Sequence, residues 1–116
     1  MAVTIYHNPR CAKSRQTLAL LESHGIKPRV IDYLKSPPDK ATLKSLLRKL
    51  GIPASALVRR KEEEFKALGL ARPDTTEDAF LEALASHPRL IERPIVVSGR
   101  KARIGRPPES VLEILP

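Results

Sequence analysis

Cys11 is the only cysteine in the chain, and basic residues crowd around it: Arg10 precedes it, and Lys13 and Arg15 follow. Val3, Thr4, Ile5 and Tyr6 form a short β-branched and aromatic run that reads as a strand. Pro9 breaks that strand, so a helix is expected from about Arg10 or Cys11 to His24, closed by Gly25. The sulfur then falls in the first helical turn, among unpaired N–H groups at the positive end of the helix dipole. A free thiol titrates near about pH 8.5, and a helix N-terminus with arginines beside it lowers that by roughly one to several units. The same N–H groups bind anions. One location therefore supplies a thiolate nucleophile and a cradle for an oxyanion. The competing reading is an inert buried thiol, the commoner fate of a free cysteine. The flanking Pro9, Arg10, Lys13 and Ser14 argue against an apolar burial site.

A lone cysteine excludes an intramolecular disulfide and fits a cytoplasmic protein. Redox chemistry at Cys11 would draw its resolving thiol from another molecule, since Ser14 stands where a dithiol motif places its second cysteine. His24 and His87 read as structural, and His7 could be a half-buried residue at a strand end. Scattered histidines and one cysteine do not make a metal site, so neither a metal nor a bound cofactor is expected.

The elements that must hold Cys11 in place follow from patterning. At 116 residues the chain is expected to form a single domain over 1–116. Aromatics are 3% with no Trp, so the core must be aliphatic. Lys27-Pro28 leads to a second strand, Arg29 to Tyr33, which completes a βαβ unit with parallel strands. After Pro37-Pro38-Asp39, Leu43, Leu46, Leu47 and Leu50 recur at helical spacing up to Gly51. Short helices are expected at 53–58, 62–68 and 77–85, the last opened by Thr75. Ile95-Val96-Val97 and Lys101-Ala102-Arg103-Ile104 flank Ser98-Gly99-Arg100, a hairpin signature. Arg106-Pro107-Pro108 then starts a last helix through Val111, Leu112 and Leu115. The order is β-α-β, an all-helical stretch at about 37–90, then β-β-α. An α/β thioredoxin-like fold with a helical insertion between its halves is the expectation.

A net charge of +8 raises the possibility of nucleic-acid binding. Stacking platforms are confined to Tyr6, Tyr33, Phe65 and Phe80, and the basic residues are spread along the chain. A small anionic substrate accounts for surplus arginine equally well. No nucleic-acid partner is expected. No run approaches the ~18 apolar residues needed to span a bilayer, and the N-terminus lacks a secretory signal pattern. No membrane partner is expected either, and cytoplasmic localisation is.

The segment His7-Asn8-Pro9-Arg10-Cys11-Ala12-Lys13-Ser14-Arg15 resembles the active-site segment of the glutaredoxin-dependent arsenate reductases, the ArsC family of the wider ArsC/Spx thioredoxin-fold superfamily. Ala56-Leu57-Val58-Arg59, Ile91-Glu92-Arg93-Pro94-Ile95-Val96-Val97 and Ile104-Gly105-Arg106-Pro107-Pro108 resemble further blocks in the same order, as does the segment from Val111 to Pro116. The resemblance implies that Cys11 is the nucleophile and that Arg59, Arg93 and Arg106 bind arsenate or a similar oxyanion. It also implies that His7 tunes the cysteine, with Ser14 and Arg15 in the turn beside it. Pro94 is implied to be the cis-proline before the third strand. Gly105 departs from members that carry a second cysteine there.

By the same resemblance, the activity is reduction of arsenate to arsenite, with glutathione as co-substrate and glutaredoxin as partner. One rival is a glutathione-dependent thiol reductase of another substrate. A second is a Spx-type regulator that binds RNA polymerase, against which stand the Ser14 in place of a second cysteine and the full arginine set.

Overall fold

Strand β1 (Val3–His7) is built from alternating residues, with Val3, Ile5 and His7 buried and Thr4 and Tyr6 only partly so. That period of two is what a strand with one covered face requires. In the computed structural model, which describes residues 2–116, β1 lies inside a four-stranded sheet of order β2-β1-β3-β4. It pairs in parallel with β2 (Arg29–Asp32) and antiparallel with β3 (Ile95–Ser98), and β3 pairs antiparallel with β4 (Lys101–Ile104). The β3–β4 turn reverses at Gly99, whose φ of 61° is the left-handed value such tight turns use. Helix α1 (Ala12–Ser23) makes the crossover from β1 to β2. This is a thioredoxin-like α/β fold with an inserted helical region.

The chain divides into two compact units. The sheet unit comprises the chain through Ser36 together with Arg93–Pro116, and the helical unit is Pro37–Glu92. In the sheet unit Val3 and Ile5 of β1, Leu21 of α1 and Val96 of β3 form the core with Val111 and Ile114 of the final segment. That segment is not the expected α-helix. It is a 3-10 helix, Pro108–Ile114, which stacks Pro108, Val111 and Ile114 on its buried side. With three residues per turn, positions i, i+3 and i+6 superpose. The sequence spacing Val111-Ile114 suits either helix type, and contact with α1 and β4 selects the tighter one.

In the helical unit α2 (Lys40–Leu50) starts where the Asp39 carboxylate accepts the Thr42 N–H at 2.8 Å. It is followed by α3 (Ala54–Leu57), α4 (Glu63–Ala67) and α5 (Glu77–Ser86). The Glu77 carboxylate reaches back to accept the amides of Ala54 (2.8 Å) and Ser55 (3.3 Å), so the first residue of α5 caps α3. The α5 cap is Thr76, whose hydroxyl accepts the Ala79 N–H, rather than the expected Thr75. Thr75 instead donates to the carbonyls of Leu70 and Arg72 in the preceding turn. An isolated bridge, Val58 to Ile91, adds one extended contact to this otherwise helical stretch. Among the described residues no helix is long and apolar enough to cross a membrane.

Candidate active site

At the end of β1 the chain turns through Asn8, Pro9 and Arg10 into α1. The Asn8 carboxamide oxygen accepts the Arg10 N–H at 3.0 Å, and the Asn8 carbonyl accepts the Cys11 N–H at 3.0 Å. Cys11 is therefore the N-cap of α1, with extended backbone (φ −93°, ψ 122°), one position ahead of the first helical turn. The shift favours the chemistry. An N-cap side chain faces the free amides of the turn that follows.

Cys11 is half-buried. Burial by itself pushes its pKa up, but the Ser14 amide, the Arg93 guanidinium and the Lys13 amide outweigh that and hold the thiol below its ordinary value. From the far side of the sheet unit Arg106 brings Nη2 to 3.7 Å from the sulfur, while its Nε donates to the Arg93 carbonyl at 2.9 Å. Arg15, by contrast, uses Nη1 to donate to the Pro9 carbonyl at 2.8 Å and so braces the loop.

Sheet register explains why these residues meet. His7 pairs with Asp32, Tyr6 with Ile95, and Ile95 with Ile104. Continued past those pairs, the register sets Tyr33 beside Asn8, Asn8 beside Arg93 and Arg93 beside Arg106. The Gly105 amide donates to the Pro94 carbonyl at 2.8 Å, in keeping with that continuation. The Arg93–Pro94 bond is cis, as expected, and so is Arg106–Pro107. Four strand ends thus deliver one row of side chains, and Cys11 follows three residues after Asn8.

Behind the sulfur lies a buried polar contact. Ser14, with no solvent exposure, accepts the Asn8 N–H at 3.0 Å and stands 2.6 Å from His7 Nδ1. The hydroxyl has a second lone pair and one proton to offer, so which of the two atoms donates in this contact follows the imidazole tautomer. Burial pushes the His7 pKa down; Asp32 raises it in part and Arg15 lowers it further, so the net shift is downward. His7 is accordingly neutral at pH 7.

The structure brings together Cys11, His7, Ser14, Arg15, Arg93, Pro94 and Arg106 within the sheet unit. Arg59 belongs to the helical unit. Its guanidinium is engaged by Glu62 (3.3 Å) and Glu92 (3.6 Å), and its amide donates to the Leu90 carbonyl at 2.7 Å. Sequence reading passed over Tyr33, which is buried beside Arg93 and Asn8, and over Thr17, whose hydroxyl donates to the Lys13 carbonyl inside α1. Thr17 with Ser14 and Leu21 forms the buried face of that helix, a stripe two-thirds polar that an apolar periodicity search does not register. Among the described residues no group of three or more His, Cys, Asp or Glu side chains is placed to hold a metal.

The profile of the ArsC family matches residues 6–114. The chain belongs to the ArsC family. It is 54% identical over 114 residues to an uncharacterized Escherichia coli K12 protein, YfgD, covering 97% of this chain and 96% of that one. It is 50% identical over 116 residues to a Haemophilus influenzae arsenate reductase, covering 99% and 100%. A solved arsenate reductase from Vibrio cholerae superposes with a TM-score of 0.96 at 55% identity, covering 99% of this chain and 98% of that chain.

Membership in ArsC stands, but the narrower assignment is corrected. The glutaredoxin-dependent subtype, with glutathione as co-substrate and glutaredoxin as partner, was expected from the resemblance. The matches reach the family and go no further. A relay among several cysteines needs a second thiol in the chain, and Cys11 is the only one.

Proposed function

We propose that this ArsC chain is an oxidoreductase acting on arsenate, with the Cys11 thiolate as nucleophile and Arg93 and Arg106 as oxyanion ligands. The observation that carries the reading is the half-buried Cys11 sulfur, 3.7 Å from the Arg106 guanidinium and adjoining that of Arg93. Guanidinium groups offer paired N–H donors at fixed angles, which suit a tetrahedral oxyanion better than ammonium does. Relatives in Haemophilus influenzae and Neisseria meningitidis that bear the name arsenate reductase lend it support.

In the first step the thiolate attacks arsenic and forms an S–As bond. One As–O bond breaks, and its oxygen leaves as hydroxide, which takes a proton to become water. Arg93 and Arg106 offset the negative charge of the oxyanion as the thiolate approaches it. Ser14 and Lys13 amides hold the sulfur ionised, while His7 and Arg15 fix the loop that carries it. Reduction of arsenic from +5 to +3 then takes two electrons, and a single sulfur forms only one half of a disulfide. The second thiol therefore comes from another molecule. A reduced, unpaired cysteine also suits a cytoplasmic setting.

The test supplies purified protein with arsenate and dithiothreitol and measures arsenite by chromatography. Arsenite release above the thiol blank, abolished in Cys11→Ser, is the expected result. Release equal to the blank, or unchanged in Cys11→Ser, would overturn the proposal.

A further inference from the structure

Tyr33 is the most completely enclosed large side chain near the reactive sulfur: its relative exposure is 0%, yet its hydroxyl closes no hydrogen bond among the described residues. A buried hydroxyl without a bonded partner weakens a fold that phenylalanine would serve better. Its position offers a reason for keeping it. Tyr33 follows directly on β2 (Arg29–Asp32), and the parallel register that pairs His7 with Asp32 carries Tyr33 alongside Asn8. The antiparallel register of β1 with β3 carries Arg93 to the other side of Asn8. Asn8 is itself buried and fixes the turn into Cys11 by accepting the amides of Arg10 and Cys11.

We propose that Tyr33 is a positioning residue, whose buried hydroxyl oxygen braces the Arg93 guanidinium and the Asn8 side chain so that Arg93 is held toward the Cys11 sulfur. The proposal rests on the reading of Cys11 and Arg93 as nucleophile and oxyanion ligand.

The electrostatics agree. Burial pushes the Tyr33 pKa up, with Arg93 and Asn8 opposing the shift and Cys11 adding to it, and the net direction is upward. The phenol therefore stays protonated across the working range and presents a neutral oxygen to Arg93. A carboxylate in its place would compete with the incoming oxyanion for the guanidinium. A neutral acceptor orients Arg93 and leaves its positive charge available to sulfur and substrate.

Tyr33→Phe retains the ring and removes only the oxygen. Thiolate absorbance at 240 nm across a pH series reports the Cys11 titration without any substrate, and arsenate protection of Cys11 from iodoacetamide reports anion binding. In Tyr33→Phe the Cys11 midpoint should move up and arsenate protection should weaken, because Arg93 loses the oxygen dipole that orients it. The melting temperature should hold or rise, because the unbonded hydroxyl is gone. In an Arg93→Ala background the further effect of Tyr33→Phe on the titration should vanish, since the two act in series.

An unmoved or lowered Cys11 midpoint in Tyr33→Phe would overturn the proposal, as would an equal shift in the Arg93→Ala background. A fall in melting temperature with no change in the midpoint would mark Tyr33 as a packing residue and overturn it too. Because the titration uses no arsenate, failure of the positioning role is read separately from failure of the arsenate reaction.

Discussion

Arg106 spans two neighbours at once, with Nη2 3.7 Å from the Cys11 sulfur and Nε 2.9 Å from the Arg93 carbonyl. The chain arrives at Cys11 and Arg106 from opposite ends of its length, and their meeting ties the reactive loop to the far strand pair. The guanidinium and the sulfur are positioned by the same sheet. Changes to either arginine should therefore be read at the sulfur before they are read in turnover.

Removing the Arg93 charge tests the origin of the thiolate. Arg93→Ala should raise the Cys11 titration midpoint by about one unit, because an opposite charge in contact is worth roughly that much or more. At pH 7 the iodoacetamide reaction should slow accordingly. Arg93→Lys, which keeps charge and loses the planar fork, should restore part of the shift. An unchanged midpoint in Arg93→Ala would assign the lowered pKa to the helix amides alone.

The same thiol makes stability depend on pH. Its folded pKa lies below that of the unfolded chain, so between the two values the folded state gives up a proton that the unfolded state retains. Stability from this group is complete above the unfolded value, near about pH 8.5, and disappears as pH falls through the folded value. Wild type should gain on Cys11→Ser as pH rises from neutral to 9, measured as urea midpoints at several pH values. A gap that stays constant or narrows over that range would contradict the assignment.

Ser14 serves two buried neighbours, His7 Nδ1 and the Asn8 amide. Ser14→Ala strands both, and leaving a buried donor or acceptor unpaired costs about 1–3 kcal/mol. We expect a loss of that order in urea unfolding, together with slower alkylation of Cys11 as the loop loosens. Unaltered stability would show that the contact is incidental.

Gly105 has no room for a side chain. A Cβ built there would lie 2.5 Å from Thr17 Oγ1 and 2.8 Å from Pro94 Cγ, and both neighbours are buried. Gly105→Ala should destabilise by about 1–3 kcal/mol, the usual cost of overpacking. Thr17→Ala in the same chain should recover part of the loss by removing one of the two obstacles. If Gly105→Ala melts like wild type, the strand end is more yielding than its packing suggests.

Local signals in the sequence settled a good deal. β-branched runs, a broken strand before Cys11 and Leu spacing in α2 depend on neighbours a few residues away, so the strands, α1 and the helical stretch were legible from them. The cysteine among basic residues marked the proposed nucleophile for the same reason. Other features depended on residues far apart in the chain. Capping moved from Thr75 to Thr76, and the last segment became a 3-10 helix, because alternatives that differ little in local energy were resolved by packing. Tyr33 looked like an ordinary strand residue, and Arg106 was marked only by the family resemblance. Sheet register alone brought both into one row with Asn8 and Arg93, since a one-residue slip would have reversed which face each side chain occupies. The candidate nucleophile was marked by local sequence; its charged surroundings were decided by strand pairing across the whole chain, because electrostatic and hydrogen-bonding partners act through distance in space.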